Sequence, residues 1–134
     1  MTTTALKIGD EAIGWPVAGQ LLDAFTRRDF DAMAACLAAD VRFRALIPPG
    51  LVEETGPQAV VETFQRWFGG HDEFDVIDAA IGQVGNRLYL RWRVSAAAAG
   101  DPDSRRVAEQ HLFATAGEQI QVLDLMCSGF TVPA

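Results

Sequence analysis

Apolar residues recur every three or four positions through the first half of the chain and every second position through the last half, which predicts helices first and strands afterwards. Val17, Leu21 and Phe25 fall at four-residue spacing with Ala18 and Leu22 alongside, and Arg27 and Arg28 follow at the end of the helix dipole that favours cations. A second helix follows closely, with Asp29 or Asp31 as its cap and Phe30, Met33, Ala34 and Leu37 as its buried stripe; Asp40 marks where something extended begins. Residues 41–47 alternate and then turn apolar, as a strand does on entering a buried environment, until Pro48, Pro49 and Gly50 end it. Residues 51–55 read as an irregular or briefly extended link. Thr55, Gly56, Pro57 and Gln58 form a helix-start signature, with Gln58 able to reach back if Thr55 is the cap. Val60, Val61, Phe64, Trp67 and Phe68 then make a wide apolar face that Gly69 and Gly70 stop.

After residue 71 the pattern is that of strands. Residues 74–81 lead to a turn over 82–86, and Leu88, Leu90, Trp92 and Val94 alternate with Arg91 and Arg93, which puts the apolar four inward. Residues 100–104 read as a loop, and 127–132 as a closing strand in which Gly129 marks a bulge. Residues 1–14 are polar with little periodicity and are expected to form an arm or an extra turn.

Two period-2 segments flank Ala116 and Gly117, an antiparallel hairpin pattern. A two-residue turn there would oppose Phe113 with Ile120, His111 with Val122, Glu109 with Asp124 and Val107 with Met126. Opposed residues share a face, so Glu109, His111 and Asp124 would project together, with Ala108, Gln110, Leu112, Gln121, Leu123 and Leu125 on the other side. Two carboxylates about 5 Å apart across a ladder repel unless one is protonated or a cation intervenes, whether His111 or an arginine such as Arg44. A turn one residue longer would instead put the two acids on opposite faces. His111 and Asp124 can form an acid/base couple in an apolar enclosure, or a hydrogen-bonded pair that only fixes register.

Composition narrows the function classes. With 134 residues, 49% of them hydrophobic, the chain reads as one domain over 1–134 that can bury a core without metal or disulfide. A net charge of −7 argues against nucleic acid and anionic membrane surfaces as partners. Cys36 and Cys127 have no CxxC relation and no zinc spacing exists, so no metal is expected and the thiols read as reduced. The first residues lack a signal-peptide pattern and no apolar run reaches the roughly 18 residues of a membrane span, so a soluble, cytoplasmic protein is expected.

Helices segregated to one side of an antiparallel sheet make an α+β fold: a cone of three N-terminal helices packed on a curved, mainly antiparallel sheet, open at one end. Candidate walls of its cavity are Trp15, Phe25, Met33, Phe43, Phe64, Trp67 and Trp92, with Trp15 and Trp67 at the mouth. Leu112, Leu123, Leu125, Ala108 and Cys127 would then form an exposed apolar sheet face, which predicts a homodimer through the outer face of the sheet.

The run from Leu21 to Phe68, with Asp29-Phe30-Asp31-Ala32-Met33, Asp40-Val41-Arg42-Phe43, the Pro48-Pro49-Gly50 break and Gly56-Pro57-Gln58-Ala59-Val60, resembles the nuclear-transport-factor-2-like superfamily, and within it the SnoaL-like polyketide cyclase branch. The resemblance implies an aspartate on the last strand acting as acid/base with a histidine on its neighbour, places filled here by Asp124 and His111. Glu109 stands where that branch has glutamine, and Val122 where it has a further histidine. The ketosteroid isomerase base would fall at about Ala45, so that activity looks absent. The limonene-type epoxide hydrolase positions fall at Arg87, Tyr89 and Asp124, with tyrosine replacing the aspartate that activates water. The expectation is therefore a protein binding a small apolar, oxygen-bearing molecule without cofactor, with Asp124, His111 and Glu109 as acid/base groups for a cyclisation or isomerisation. The alternatives are a non-catalytic ligand-binding or structural member, or an epoxide hydrolase.

Overall fold

The computed structural model describes residues 15–133; the arm or extra turn expected over residues 1–14 lies outside the described residues. Its elements run α1 (Trp15–Thr26), α2 (Phe30–Ala35), β1 (Leu37–Ile47), β2 (Gly50–Thr55), α3 (Pro57–Phe68), β3 (Glu73–Val84), β4 (Arg87–Ala98), β5 (Asp101–Ala116) and β6 (Ile120–Cys127). The six strands form one sheet in the order β2-β1-β6-β5-β4-β3, in which only the β1–β6 pair is parallel. This is the expected α+β architecture, three helices over a mainly antiparallel sheet.

Local chemistry explains most of the boundaries. Asp29 caps α2 by accepting a hydrogen bond from the Ala32 amide at 3.0 Å. Arg28, between the first two helices, adopts a left-handed φ of 52°, and its guanidinium donates to the carbonyls of Phe68 and His71, tying the end of α1 to the end of α3. The cap of α3 is Gly56 rather than Thr55: at φ 90° it turns the chain into Pro57 with no side-chain cap, and Gln58 donates to Glu62 instead of reaching back. Strand β1 starts at Leu37, earlier than the pattern predicts, because pairing with β6 begins at Leu37 opposite Ile120. Residues 51–55 are a paired edge strand, and residues 82–84 extend β3 so that only Gly85 and Asn86 make the turn.

The helices cover one face of the sheet, and aromatic rings fill the space between. Phe25 stacks on Trp92 with centroids 4.0 Å apart and meets Phe68 and Phe74 edge-on. Phe64 joins Phe25 to Phe43, and all of these rings except Phe74 are fully buried. Leu88, Leu90, Trp92 and Val94 face this core as their alternation predicts.

The β5–β6 hairpin differs from its expected register. Its loop spans three residues, 117–119, with Ala116 opposite Ile120, and a one-residue irregularity then follows between Thr115 and Ala116. The longer loop alone would have put Glu109 and Asp124 on opposite faces; the irregularity adds one further residue and restores the parity. Asp124 thus opposes Phe113, His111 opposes Met126, and Glu109 lies across from Arg93 of β4. Glu109, His111 and Asp124 do share a face, but it is the outer face, turned away from the helices. Ala108, Leu112, Ala114, Leu123 and Leu125 are the side that packs on the helices, because burying five apolar side chains outweighs sheltering three titratable ones. The residues expected to form a dimer surface, Leu112, Leu123, Leu125 and Ala108, are therefore core, with Cys127 packed against it.

Candidate functional site

The outer face can be read row by row from the register. One row crosses from Tyr89 on β4 through Phe113, Asp124 and Arg44 to Glu53 on β2. The next row toward the Gly85-Asn86 turn carries Thr115, Val122 and Arg42, and Arg87 lies at that end of β4. Parallel pairing of β1 with β6 is what sets the arginines of β1 beside Asp124. Val41, Phe43 and Ala45 point into the core, so Arg42 and Arg44 must point out.

Asp124 is held from two sides. Arg44 Nε donates to its Oδ1 at 2.9 Å, and Arg87 Nη2 donates to its Oδ2 at 3.0 Å and to the Phe113 carbonyl at 3.2 Å. The Arg44 hydrogen bond is the largest influence on the carboxyl group; partial burial opposes it, Arg87 adds to it, and the net effect holds Asp124 below the usual carboxylate range. Arg44 is the counter-charge the sequence allowed for. Around this pair opens a cleft of about 400 Å³ lined by Arg42, Arg44, Arg87, Asp124, Asn86 and Thr115, with Val122 as an apolar wall.

A second cluster lies across Phe113. Tyr89 Oη is 2.7 Å from His111 Nδ1, and His111 Nε2 is 2.6 Å from Glu109 Oε2. Glu109 Oε1 accepts from Arg93 Nε and Nη2 at 3.0 and 2.7 Å. Arg93 first, then His111, lowers the Glu109 carboxyl from its ordinary value. The imidazole thus bridges the tyrosine hydroxyl and the glutamate carboxylate through its two ring nitrogens.

The structure brings His111 and Glu109 into direct contact, and sets Asp124 in a separate network with Arg44 and Arg87. The seven expected wall residues are on the other face of the sheet, Met33 among them as a buried core residue. Phe25, Phe43, Phe64 and Trp92 are buried within the core, Trp67 is half-buried against Phe43 and Phe64, and Trp15 is half-buried with Nε1 donating to Gln83 Oε1 at 3.0 Å. Deep among the rings, Trp92 Nε1 donates to Gln110 Oε1 at 2.8 Å, while Gln110 Nε2 is buried with no partner. Ala45, the isomerase-base position, is a buried core residue. Among the described residues no cluster of three or more His, Cys, Asp or Glu could hold a metal ion, and no helix is long and apolar enough to cross a membrane.

A family model for the SnoaL-like domain matches residues 18–123, spanning every element from α1 into β6. The chain belongs to the SnoaL-like domain family. No curated protein matches it in sequence. Among solved structures, the SnoaL-like chain is similar to a nuclear-transport-factor-2-like protein of Anabaena variabilis, with a TM-score of 0.71, 13% identity and 97% of each chain covered. It is also similar to a "putative polyketide cyclase" of Xanthomonas campestris, with a TM-score of 0.68 and 23% identity over 87% of this chain and 90% of the other. An epoxide hydrolase of M. tuberculosis, described as LEH-like, aligns with a TM-score of 0.63 and 19% identity over 90% of this chain and 83% of that one. At these identities the likeness shows the fold, a scaffold shared by proteins of different activity.

Arg42, Asn86 and Thr115 were not among the residues the sequence singled out, and Arg87 entered only through the epoxide hydrolase resemblance. Arg42 had a signal, since Arg42 and Arg44 alternate with three apolar residues. Their convergence with Arg87 on Asp124 depends on the β1–β6 and β4–β5–β6 pairings, which no local pattern encodes.

Proposed function

We propose that this SnoaL-like protein binds a small apolar, oxygen-bearing molecule, and that Asp124, His111 and Glu109 hold charge and geometry in place without transferring protons to or from the ligand. The single observation that supports this reading is that the polar atoms of these groups are already engaged: both Asp124 oxygens by arginines, both Glu109 oxygens by Arg93 and His111, and both His111 nitrogens by Tyr89 and Glu109. A general base needs a lone pair in reach of the ligand and a pKa near the working pH, and a carboxylate depressed by two arginines is a poor proton acceptor. The epoxide hydrolase alternative calls for a carboxylate two residues after Arg87, where Tyr89 stands with its hydroxyl on His111.

The test uses benzylacetone, an uncharged ketone with an apolar body, in heavy water. Saturation transfer from the protein to the phenyl ring with no α-proton exchange above buffer is the expected result. Exchange that the protein accelerates and Asp124→Asn or His111→Gln abolishes would establish acid/base catalysis and overturn the reading. One observation favours a second reading: the Glu109, His111 and Tyr89 side chains form a continuous hydrogen-bonded line that ends on a hydroxyl. In that reading the exchange would survive Asp124→Asn and vanish in Tyr89→Phe.

A further inference from the structure

On the helix-facing side of the sheet one polar group is left over by the fold. Trp92 Nε1 donates to Gln110 Oε1 at 2.8 Å, and because an indole N–H only donates, the amide is fixed with its oxygen toward the ring and Nε2 turned away from it. Gln110 is 0% exposed, and its Nε2 has no partner. Its neighbours on this face are Ala108 and Leu112 along β5, Trp92 on β4 and Cys127 on β6, and none of their side chains carries an oxygen. The Cys127 sulfur already accepts the Gly129 amide at 3.3 Å. A buried N–H without an acceptor bears the full cost of its lost hydration, which an oxygen brought in from outside removes. No charged side chain is buried among the described residues, so an anion entering here would meet no counter-charge, and an uncharged oxygen is the acceptor that fits.

The chain that follows β6 covers the way to this group. Gln110 with Cys127 is the last pair of the β5–β6 ladder, and from it the chain leaves as a strap over residues 128–132. Ser128 meets Glu109 through its amide and its hydroxyl at 2.9 Å each, Gly129 turns at a φ of 77°, and Thr131 and Val107 exchange two backbone hydrogen bonds of 2.8 Å. A Cβ at position 129 would lie 2.7 Å from Pro48 Cγ, so the strap runs close against the turn between β1 and β2, where glycine alone fits without strain. That path lays Phe130 on Phe68 and His71, with ring centroids 5.7 and 5.3 Å away. From Phe68 the rings continue to Phe25 at 5.2 Å and to Trp92 at 4.0 Å, and so to Gln110. Phe68, Phe25 and Trp92 are fully buried, and Phe130 closes their line at the surface. Beyond Gly129 the strap is held by the pairing of Thr131 with Val107 and by the Phe130 ring, a short set of contacts that opens at a lower free energy than the strands beside it.

We propose that residues 129–132 gate the ring-lined interior, and that an uncharged carbonyl compound enters when Phe130 lifts off Phe68 and is held with its oxygen on Gln110 Nε2. Gln110 is the specificity-determining residue, the donor that selects a carbonyl over a hydrocarbon, while Phe25 and Phe68 repack around the apolar body. The proposal rests on the ligand-binding reading above and gives it a location, a recognised group and an entrance.

Benzylacetone and butylbenzene share one apolar body and differ in the carbonyl oxygen; hydrocinnamate carries a carboxylate in place of the ketone. Each is titrated into isotopically labelled protein while the Gln110 side-chain amide and Trp92 indole N–H signals are followed. Benzylacetone should shift the Gln110 amide protons saturably, butylbenzene should move the indole signal without that shift, and hydrocinnamate should do neither at neutral pH. Gln110→Met, similar in volume but with no N–H, should weaken benzylacetone about tenfold and leave butylbenzene unchanged. Should that variant not fold, the contrast between the two ligands at Gln110 of the parent protein decides alone. Phe130→Ala should raise the association and dissociation rates of benzylacetone together by about tenfold, and speed exchange of the Trp92 indole N–H with heavy water by a similar factor while the Leu90 and Leu112 amides keep their rates. Equal acceleration of all three signals reports general loosening and would overturn the gate, as would unchanged rates. Hydrocinnamate acting on Gln110 as strongly as the ketone would overturn the uncharged-ligand assignment. Saturable binding of benzylacetone that leaves the Gln110 amide unmoved would overturn the interior site while the ligand-binding reading stands; saturation by none of the three would overturn both.

Discussion

The two faces of this sheet are built from the same strands and obey different physics. On the helix-facing side every second residue is apolar and buried, and even its polar pair, Trp92 with Gln110, is enclosed. On the other side the intervening residues of β4, β5 and β6 make ion pairs at 2.6 to 3.0 Å, Arg91 with Asp78, Arg93 with Glu109, and Arg87 with Asp124, all partly open to solvent. Burial on one face supplies the stability of the fold, since exposed ion pairs contribute little against solvent screening. The outer face is thereby free to carry charge arranged for something other than folding. If this division holds, single substitutions should separate into two classes by which face they touch.

The largest effect is expected from Trp92→Ala. It removes the ring that Phe25 stacks on, leaves the Gln110 amide without its indole partner, and opens a hole that neighbouring aromatic rings cannot fill. A loss of about 3–5 kcal/mol is expected by urea unfolding. Arg93→Ala, the next residue on the same strand but on the outer face, should be far milder. Comparable losses for the two would break the division.

A smaller effect, with a pH signature, is expected from Asp124→Asn. The folded-state pKa of Asp124 lies below its unfolded value, so its contribution is fully present above the unfolded pKa and is lost as pH falls through the folded one. At pH 7 the variant should be less stable by about 1 kcal/mol, with the gap closing as pH falls below about 4. A gap that stays constant down to acid pH would mean that Asp124 contributes by packing rather than by charge.

How far these faces were legible in the sequence differs from strand to strand. In β4 the apolar residues at 88, 90, 92 and 94 alternate with Arg91 and Arg93, so pattern and face coincide. In β5 and β6 both faces carry apolar residues: Phe113, Val122 and Met126 outside, Leu112, Ala114, Leu123 and Leu125 inside. Alternation in such strands gives parity without saying which side is core. The pairing of Glu109, His111 and Asp124 on one face was readable for that reason, and their orientation was not. The loop of residues 117–119 and the irregularity beside it shift the register in the same direction, which restores the parity but not the pairing, and neither carries a residue that demands it. The meeting of Arg44 and Asp124, 80 positions apart in sequence, depends on a parallel pairing that only the completed sheet defines.

The smallest effect is expected at Arg91. Its guanidinium is 2.6 Å from Asp78 across the β3–β4 pair, and Arg91 lowers the Asp78 carboxyl from its ordinary value, yet the acid is largely open to solvent. Attraction between exposed charges is offset by the side-chain entropy lost in holding the pair and by screening from salt. Arg91→Ala should therefore unfold at the same urea concentration as the parent protein in 0.5 M salt, where the Debye length has shrunk to about 4 Å. Arg91 also lies directly across from His111 in the β4–β5 register, so removing its charge takes a cation away from the imidazole. The variant should then shift the His111 ring-proton signals at a fixed pH while leaving stability alone. A stability change with an unmoved histidine would place Arg91 with the residues that hold the fold, and the contrast between the faces would fail at the position where it is expected to be sharpest.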